Sequence, residues 1–479
     1  MVLIRQVTLE NFRCFQEKQS VNLAPLTLLI GENSTGKTSF LALLRALSEF
    51  VFAGRAPNFR EPFDLGSFEQ VAHYRGGSAT RNRSFRLGLE AKASGAVFPL
   101  VSESEQDFEV QVDITFERDS RGSEPTPVEQ QIAVGESWLH ERTATRDRGY
   151  DLRIGTERGT WKLSGEAGEG HPNNLGAFRF YSMPRALQDA LPGDETDMPR
   201  LVPVGQSSDF DDVDRKEINI LARFGIYNPQ LLYSTFAGFA QSQVFASGPV
   251  QSRPQRTYEP GTWEREPHGN HVPRRFAEMS LFQPDEWRAI KTQLETFGRA
   301  SGLFDEIRIQ PMMPSRSRRA TGSDPFQLQV RKGSGRFKGI HRNIIDVGYG
   351  VSQVLPILSE VVAASEPTDL FLCQQPEVHL HPSAQAELGS LFCAVASADF
   401  QVVVETHSDH LLDRIRMDVR DERTGLSSSD VRILYFERRG LDVKIHELTW
   451  DEHGNIENAP SSYRRFFLEE VERSIWPPE

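Results

Sequence analysis

The amino-acid sequence predicts an α/β fold with a mixed parallel core sheet, an adjoining antiparallel sheet and a mainly helical insertion. Runs at 26–30, 370–373 and 402–404 are apolar except for Thr27, as expected for strands that are buried on both faces of a parallel sheet. Segments 84–90 and 108–116 instead alternate apolar and polar residues, which is typical of half-exposed antiparallel strands. The two patterns together predict two different sheets in one chain.

The length of the chain, 479 residues, allows two or three domains. We predict a first lobe at 1–165 that contains the antiparallel sheet, an insertion of helices and loops at 166–340, and a second lobe at 341–479. Within the insertion, helices are expected around Lys216–Phe224 and Asp285–Arg299.

Composition narrows the class of protein. Lysine and arginine number 54 against 67 aspartate and glutamate, a net charge of −13, which argues against binding nucleic acid over the whole surface. Three cysteines, Cys14, Cys373 and Cys393, are too few and too scattered for a disulfide framework. No apolar run approaches the ~20 residues of a membrane span, and the N-terminus has no signal-peptide pattern. We therefore expect a cytoplasmic protein without membrane contact.

Residues Gly31–Thr38 match G-x-x-x-x-G-K-[ST], the pattern of a phosphate-binding loop. The loop follows the predicted strand Leu26–Ile30 and precedes a predicted helix at Thr38–Phe50, which is the context that the motif requires. Glycines let backbone N–H groups close around phosphate oxygens, and the N-terminus of the helix adds its positive dipole end. The alternative interpretation is a chance glycine turn.

Seven residues in and after this motif are predicted to bind the phosphates of a nucleotide. Lys37 should reach the β- and γ-phosphates, and the Thr38 hydroxyl should bind Mg²⁺. The predicted phosphate-binding residues are Asn33, Ser34, Thr35, Gly36, Lys37, Thr38 and Ser39.

Three further motifs lie in the C-terminal third of the chain. Each combines an apolar helix or strand with small or polar residues at one end, where a phosphate, magnesium or attacking water would lie. The motifs are Asp346–Leu358, with two glycines before Ser352-Gln353 and an apolar helix; Leu370–Pro382, a buried strand followed by polar residues; and Gln401–His410, a second buried strand that leads to His407.

Together, the four motifs resemble the ABC-type P-loop ATPase domains of the OLD and RecF-like group, many of which are encoded in bacterial anti-phage defence systems. The resemblance covers 1–50 and 340–415, and it implies an ATPase that uses ATP and Mg²⁺. In that group the signature helix of one subunit covers the γ-phosphate held by another, so a homodimer or larger oligomer with shared ATP sites is implied. The residues that the resemblance assigns are the signature Gly348–Gln353, with Ser352 and Gln353 toward the nucleotide, the Walker B positions Gln374 and Gln375, His381 in the D-loop and the switch histidine His407.

The sequence departs from the family pattern at Gln374 and Gln375, where two carboxylates are expected. The amide oxygen of Gln374 can still join Thr38 in binding Mg²⁺, but it carries no charge. Gln375 can orient water but cannot act as a base, and losing general-base help costs about 10²–10⁴ in rate. Glu377 is a carboxylate that could replace it if the loop bends back.

We therefore predict Gln375, Glu377 and His407 as the candidate catalytic residues. We expect a protein that binds ATP tightly, closes on it and hydrolyses it slowly or not at all. The alternative is ordinary turnover with unusual ligands.

Three functions are compatible with these motifs. The first is an ATP-gated sensor or scaffold of anti-phage defence that controls a separate effector protein, expected to be a nuclease. The second is a RecF-like ATPase of DNA repair or maintenance that contacts DNA through Arg316, Arg318 and Arg319, in the basic segment 315–343. The third is a nuclease that acts through carboxylates at Asp209–Asp214. Both of these charged segments also have a structural interpretation. The basic segment could be a hairpin that pairs with the protein's own acidic surface, and the acidic cluster could be a solvated loop.

Several other features have both a functional and a structural interpretation. Phe12 and Phe15 could lie near the adenine or belong to the core, and Asp64 and Gln70 could sense the γ-phosphate or close a capping turn. Histidines with H-x-H and H-x-x-H spacing could gather zinc, although the nucleotide motifs account for two of them. These histidines are His379, His381, His407 and His410.

Overall fold

The fold is known from a computed structural model of the chain. Its described residues are 2–52, 59, 62–74, 82–93, 108–118, 124–134, 137–143, 149–156, 159–166, 202–203, 244–312, 324–333, 337, 339–362, 370–451 and 453–463. Several predicted features lie outside these residues: the helix around Lys216–Phe224, the carboxylates of Asp209–Asp214 and the basic side chains Arg316, Arg318 and Arg319.

The chain divides into two compact units whose segments alternate along the sequence. Unit 1 consists of Met1–Leu23, Glu32–Gln243 and Phe436–His446, and unit 2 of Ala24–Gly31, Val244–Tyr435 and Glu447–Glu479. The predicted three-domain division, with boundaries near 165 and 340, stays a prediction.

Strands and helices are numbered here in chain order. The strands are β1 (Val2–Glu10), β2 (Gln19–Asn22), β3 (Leu26–Gly31), β4 (Ser84–Ala93), β5 (Phe108–Arg118), β6 (Pro125–Val134), β7 (Ser137–Thr143), β8 (Gly149–Thr156), β9 (Gly159–Glu166), β10 (Val202–Pro203), β11 (Val244–Ser247), β12 (Glu306–Pro311), β13 (Phe326–Arg331), β14 (His341–Asn343), β15 (Leu370–Gln374), β16 (Gln401–Glu405), β17 (Val431–Arg439), β18 (Asp442–Trp450) and β19 (Ile456–Glu457). The helices are α1 (Lys37–Phe52), α2 (Phe68–Val71), α3 (Val272–Phe282), α4 (Pro284–Ser301), α5 (Tyr349–Val362), α6 (Pro382–Ser397) and α7 (Asp409–Arg420).

An antiparallel sheet with the strand order β10-β9-β8-β7-β6-β5-β4-β1-β2 lies in unit 1. The predicted alternation is visible in β4, where Phe85, Leu87 and Leu89 are buried. Phe85 pairs in register with Phe116 of β5, and their rings stack with centroids 5.0 Å apart. The antiparallel sheet predicted from this alternation is confirmed.

A second sheet has the strand order β11-β15-β16-β3-β17-β18-β19. The pairs β11/β15, β15/β16 and β16/β3 are parallel, and β3, β15 and β16 are buried along nearly their whole length. Such burial requires cover on both faces of the sheet. The mixed, largely parallel core sheet predicted from the apolar runs is therefore confirmed.

An apolar cluster in unit 2 joins these parallel strands to helices α4, α5 and α6. Its members include Leu28, Leu294, Leu358, Phe371, Phe392 and Val404. Strands β12, β13 and β14 form a small antiparallel sheet in the same unit. Among the described residues, no helix combines the length and the apolar character that crossing a membrane requires.

Helix α4 confirms the predicted helix at Asp285–Arg299 and extends it by a residue or two at each end. It begins at Pro284, whose fixed φ suits the first helical turn. It ends at Gly302, which takes the left-handed conformation (φ +71°) that commonly terminates helices. The described part of the predicted insertion thus contains the helices α3 and α4 as well as strands β10, β11, β12 and β13.

A buried ion cluster connects helix α5 to the segment before α3. Glu360 is 2% exposed; its carboxylate accepts hydrogen bonds from His271 Nε2 (2.7 Å) and Arg275 (3.3 Å) and also pairs with Arg265. The backbone N–H of Glu266 donates to His271 Nδ1 (3.1 Å), so the ring carries its proton on Nε2. Burial works to raise the pKa of Glu360, but the His271 hydrogen bond and the two guanidinium groups outweigh it and lower the pKa.

Replacing Glu360 with glutamine is expected to lower the free energy of unfolding at pH 7 by about 3 kcal/mol, because two partly buried guanidinium groups lose their buried counter-charge. A lowered pKa stabilises the folded state fully above the pKa of an unfolded glutamate, about 4.3, and this contribution is lost as the pH falls through the folded-state value. The difference between wild type and variant in urea unfolding should therefore shrink below about pH 4.3.

Glu387→Gln is the matched control, because Glu387 pairs with Arg414 (2.7 Å) at a half-exposed site. Its cost should stay below about 1 kcal/mol. Equal losses from the two variants at pH 7 would show that the buried cluster contributes no more than a surface pair.

Candidate phosphate-binding site

The phosphate loop leaves strand β3 at Gly31 and enters helix α1 at Lys37. Inside the loop, Ser34 (φ +60°) and Gly36 (φ +88°) both have left-handed backbone conformations. Left-handed residues within such a turn bring successive backbone N–H groups to one concave side, and this arrangement binds anions. The loop therefore has the backbone shape that the motif predicted.

Gly36 is required by its surroundings as well as by its backbone. A Cβ at this position would lie 2.5 Å from Cys14 Sγ and 2.9 Å from Phe15 Cζ. Both distances are shorter than the separation of non-bonded atoms in a packed core. Burial raises the pKa of the Cys14 thiol to about 11, so it packs against the loop as a neutral group. The chain segment after β1 thus packs against the phosphate loop at Gly36.

Lys37 is 3% exposed, and its Nζ donates a hydrogen bond to the Glu32 carbonyl oxygen (2.6 Å). Thr35 Oγ1 donates to the same carbonyl (2.8 Å), and Thr35 is fully buried. These two hydrogen bonds connect the end of the loop to its beginning at Glu32. The side chain of Arg13 approaches the start of α1 and donates to Ser39 Oγ (3.3 Å).

The predicted Walker B positions lie at the carboxyl end of strand β15 in unit 2. Gln374 is the last residue of β15 and pairs in parallel register with Glu405, the last residue of β16. Gln375 follows in a left-handed conformation (φ +45°), and its N–H donates to the Glu405 carbonyl (2.8 Å). Both glutamine side chains are half-buried. This sheet edge therefore carries neutral amides where the family pattern expects acids.

Glu377 lies next to the segment that follows β16, and its role as a substitute base stays a prediction. It is 7% exposed, and its Oε1 accepts a hydrogen bond from the His407 backbone N–H (2.7 Å). Its Oε2 is also buried. Burial raises the pKa of Glu377, and hydrogen bonds from the His407 amide and the Thr406 side chain oppose this rise. The structure thus brings two of the three candidate catalytic residues, Glu377 and His407, into contact through the backbone, while the His407 side chain is exposed.

Glu405 is a second buried carboxylate at this edge, and it was not predicted as a site residue. It is 3% exposed and stands beside Gln374 in the adjacent strand. The available signal was an acidic residue at the end of an otherwise apolar run, Val402–Val404. Parallel strands place such terminal residues at a common edge.

The predicted signature residues occupy the first turn of helix α5. Gln353 is buried; its Oε1 accepts from the Gln251 N–H (2.8 Å), and its Nε2 donates to the Gln251 carbonyl (3.4 Å). Ser352 is 6% exposed, donates to the Tyr349 carbonyl (2.8 Å) and lines a cavity of about 290 Å³. Their contact with the nucleotide of another subunit stays a prediction. Gln251, which lies 102 residues before Gln353 in the chain, was not predicted.

Four residues for which the sequence allowed a functional or a structural role have structural contacts. Phe12 and Phe15 are fully buried core residues. Gln70 Oε1 accepts from the Ser67 N–H (2.9 Å) in a capping box, and Asp64 Oδ1 accepts from the Gly66 N–H (3.1 Å).

His381, the predicted D-loop histidine, has a local structural contact. It is the N-cap of helix α6, and its Nδ1 accepts from the Ser383 N–H (3.3 Å). Nowhere in the described ranges do three or more His, Cys, Asp or Glu side chains cluster as a metal site would require, which gives the zinc alternative no support.

Two family models match the chain. Residues 3–93 match the model described as "AAA ATPase domain", and residues 250–413 match the model described as "AAA domain, putative AbiEii toxin, Type IV TA system". The first region contains the phosphate loop, and the second contains the predicted signature, Walker B and switch-histidine segments. Together with the α/β fold and the phosphate loop, these matches support an ATPase of the AAA type.

Solved structures of SMC head domains also align with the chain. A Pyrococcus furiosus Smc head domain with an extended coiled coil, bound to the C-terminal domain of ScpA, is 11% identical over 98% of this chain and 100% of that one, with a TM-score of 0.44. A Pyrococcus yayanosii Smc head domain is 9% identical over 98% and 100% (TM-score 0.44), and a Thermotoga maritima SMC head domain is 8% identical over 93% and 98% (TM-score 0.36). No curated protein sequence matches the chain.

Replacing Glu377 with glutamine is expected to raise the free energy of unfolding at pH 8 by about 1–2 kcal/mol, because the variant removes a buried charge and keeps an acceptor for the His407 N–H. A raised pKa makes the ionised group costly to the folded state above its folded-state pKa, and this cost disappears below the pKa of an unfolded glutamate, about 4.3. The gain should thus be present at pH 8 and absent near pH 4, as measured by chemical unfolding.

Glu387→Gln serves as the comparison again, because its half-exposed carboxylate keeps an arginine partner. It should show no gain at pH 8. A loss of stability in Glu377→Gln at pH 8 would mean that the folded protein favours the ionised carboxylate.

Proposed function

We propose that the chain is an ATP-binding subunit of ABC type in which ATP is held firmly and hydrolysed slowly. The observation that supports this proposal is the preorganised phosphate loop, with left-handed Ser34 and Gly36 and with Lys37 braced on the Glu32 carbonyl. The phosphates of ATP would accept hydrogen bonds from the backbone N–H groups of the loop and would gain the charge of Lys37. Because the loop already has this shape, little ordering is needed on binding.

Mg²⁺ would accompany ATP, with the Thr38 hydroxyl as its ligand from the loop. Oxygen donors of this kind suit the ion, which keeps several waters and is usually bound through phosphates and one or two carboxylates. When bound, the ion would neutralise charge on the β- and γ-phosphates. At the Walker B position, Gln374 offers a neutral amide oxygen, which holds a cation less strongly than a carboxylate does.

Slow hydrolysis is proposed because Gln375 cannot take a proton from the attacking water. It could only orient that water by hydrogen bonding. Glu377 is the carboxylate best able to supply the missing base, but it is buried and accepts a hydrogen bond from the His407 N–H. Its raised pKa brings its basicity nearer to the range of useful general bases, so some residual turnover through Glu377 is consistent with the proposal.

We further propose that copies of the chain associate when ATP is bound, with the start of helix α5 of one copy, including Ser352, contributing to the site of another. The start of helix α5 supports this idea, because the first backbone N–H groups of a helix attract anions. Gly348, which precedes the helix, has open space where a Cβ would be.

The biological role that we propose is in bacterial defence. The family model matched by residues 250–413 is described by a putative toxin of a Type IV toxin–antitoxin system, and this description supports a defence function. In the proposed role, the ATP-bound subunit holds a separate effector protein, a nuclease, and releases or activates it when the nucleotide state changes.

Restoring the two acids should speed hydrolysis. The double variant Gln374→Asp/Gln375→Glu is expected to release phosphate about 10²–10⁴ times faster than the wild type, because it regains a charged magnesium ligand and a general base. The measurement is phosphate release by the purified protein at saturating ATP and magnesium.

Lys37→Ala in both backgrounds is the control, since it should remove ATP binding and therefore any turnover. A wild-type rate that equals that of the double variant, and that Lys37→Ala abolishes, would contradict the proposal of slow hydrolysis.

ATP should also change the assembly state. Light scattering of the purified wild-type protein is expected to show at least a doubling of mass with ATP and magnesium, and affinity purification from the native host should recover an effector in one nucleotide state only. For Lys37→Ala, neither the mass nor the recovery of the effector should depend on the nucleotide. A mass that is the same with and without ATP would contradict ATP-dependent association.

A further inference from the structure

Arg438, which is far from the phosphate loop in sequence, contacts the backbone of the loop at Ser34. Arg438 Nη2 donates a hydrogen bond to the main-chain carbonyl of Ser34, across 404 residues of chain. Ser34 has φ +60°, a conformation that residues with a Cβ adopt only at an energetic cost. The contact therefore falls on the one left-handed residue of the loop that is not a glycine.

The direction of this hydrogen bond determines where the next N–H points. In a trans peptide the C=O and the following N–H point in opposite directions. Holding the Ser34 carbonyl toward Arg438 therefore turns the Thr35 N–H to the other side of the chain. The Thr35 carbonyl lies 3.9 Å from Cys14 Sγ, which in the same way turns the Gly36 N–H away from Cys14. Outward carbonyls on two successive peptides leave their N–H groups for a bound anion.

Arg438 is held in place by the hairpin of β17 and β18. Phe436, two residues before it and thus on the same face of the strand, is fully buried and packs edge-on against Phe15 and Phe40 with centroids 6.2 and 5.7 Å away. On β18, the Val443 N–H donates to the Cys14 carbonyl (2.9 Å). The hairpin is thus bound to the segment that also packs against Gly36.

We propose that Arg438 is a positioning residue of the nucleotide site, which holds the Ser34–Thr35 peptide so that its N–H faces the phosphates. This inference rests on the proposed ATP binding and deepens it, because it adds the C-terminal hairpin to the elements that shape the loop. Arg438 acts through the backbone of Ser34 and does not itself need to touch the nucleotide.

The neighbouring residue provides a matched control. Arg439 has the same charge but points to the other face of β17, where its Nε donates to Glu437 Oε2 (2.8 Å). It is exposed and makes no hydrogen bond to the phosphate loop in the described part of the chain. Arg439→Ala therefore removes one positive charge near the site and leaves the Ser34 carbonyl bonded.

The experiment compares ATP and ADP affinity, by calorimetry, in the wild type, Arg438→Ala, Arg438→Lys and Arg439→Ala. Loss of one charge-assisted hydrogen bond corresponds to an affinity about 10–100 times weaker in Arg438→Ala. Arg439→Ala should stay within about twofold of the wild type, as expected for an exposed charge. Arg438→Lys keeps a donor and a charge, so it should fall between the two, and it also serves if the alanine variant does not fold.

Amide hydrogen exchange of the nucleotide-free protein gives a second, independent measurement. In Arg438→Ala, exchange should accelerate in peptides that cover 31–38 and stay unchanged in strands β4 and β5. A merely structural role would instead raise exchange throughout unit 1. Arg439→Ala should match the wild type in all peptides.

The outcomes separate this inference from the proposed function. If wild type binds ATP and Lys37→Ala does not, while Arg438→Ala matches Arg439→Ala in affinity and in exchange, the inference is wrong and the proposed function stands. If the wild type binds neither ATP nor ADP, the proposed function is wrong and the role of Arg438 in a nucleotide site is wrong with it.

Discussion

The left-handed backbone of the phosphate loop is the constraint on which the candidate site depends. Gly36 meets it by having no Cβ, in a space that Cys14 and Phe15 otherwise fill. Ser34 has a Cβ and meets it with a hydrogen bond from Arg438. The contacts of both residues therefore reach beyond the eight-residue motif, to the segment after β1 and to the hairpin of β17 and β18.

The carboxyl edge of the parallel sheet differs in charge from the pattern expected from the resemblance. Gln374 and Gln375 are neutral, whereas Glu377 and Glu405 retain carboxyl groups that are largely withdrawn from solvent. Amides do not repel the negative charge of a polyphosphate as carboxylates would, and they can still accept hydrogen bonds from water. In the proposed function, glutamines at these two positions would therefore slow hydrolysis and would also favour retention of ATP.

Sequence patterns predicted the parts of the fold that depend on local periodicity. Both sheets, helix α4 and the strand–loop–helix around Gly31–Thr38 follow from alternating or continuous burial and from helix-terminal residues. Contacts between distant segments could not be predicted this way, because periodicity shows that a residue is buried but not which residue it meets. Gln251 with Gln353 and Arg438 with Ser34 are separated by 102 and 404 residues.

Polar residues in turns were ambiguous for a related reason. Gln70, Asp64 and His381 each have side chains suited to a nucleotide site and equally suited to a turn or a helix cap, and sequence alone does not decide between the two. The structure gives each of them a local backbone partner. Glu377 differs from these residues, because its carboxylate is buried and accepts from the His407 N–H, 30 residues further along the chain.

Helix α5 is attached to the preceding segment at two points along its length. Near its start, Gln353 exchanges hydrogen bonds with the backbone of Gln251; near its end, Glu360 binds His271 and two arginines. Separating the helix from this segment would leave buried polar groups and a buried carboxylate without partners, which is costly. Buried polar contacts therefore hold both ends of helix α5, including its predicted signature residue Gln353, against segment 251–275.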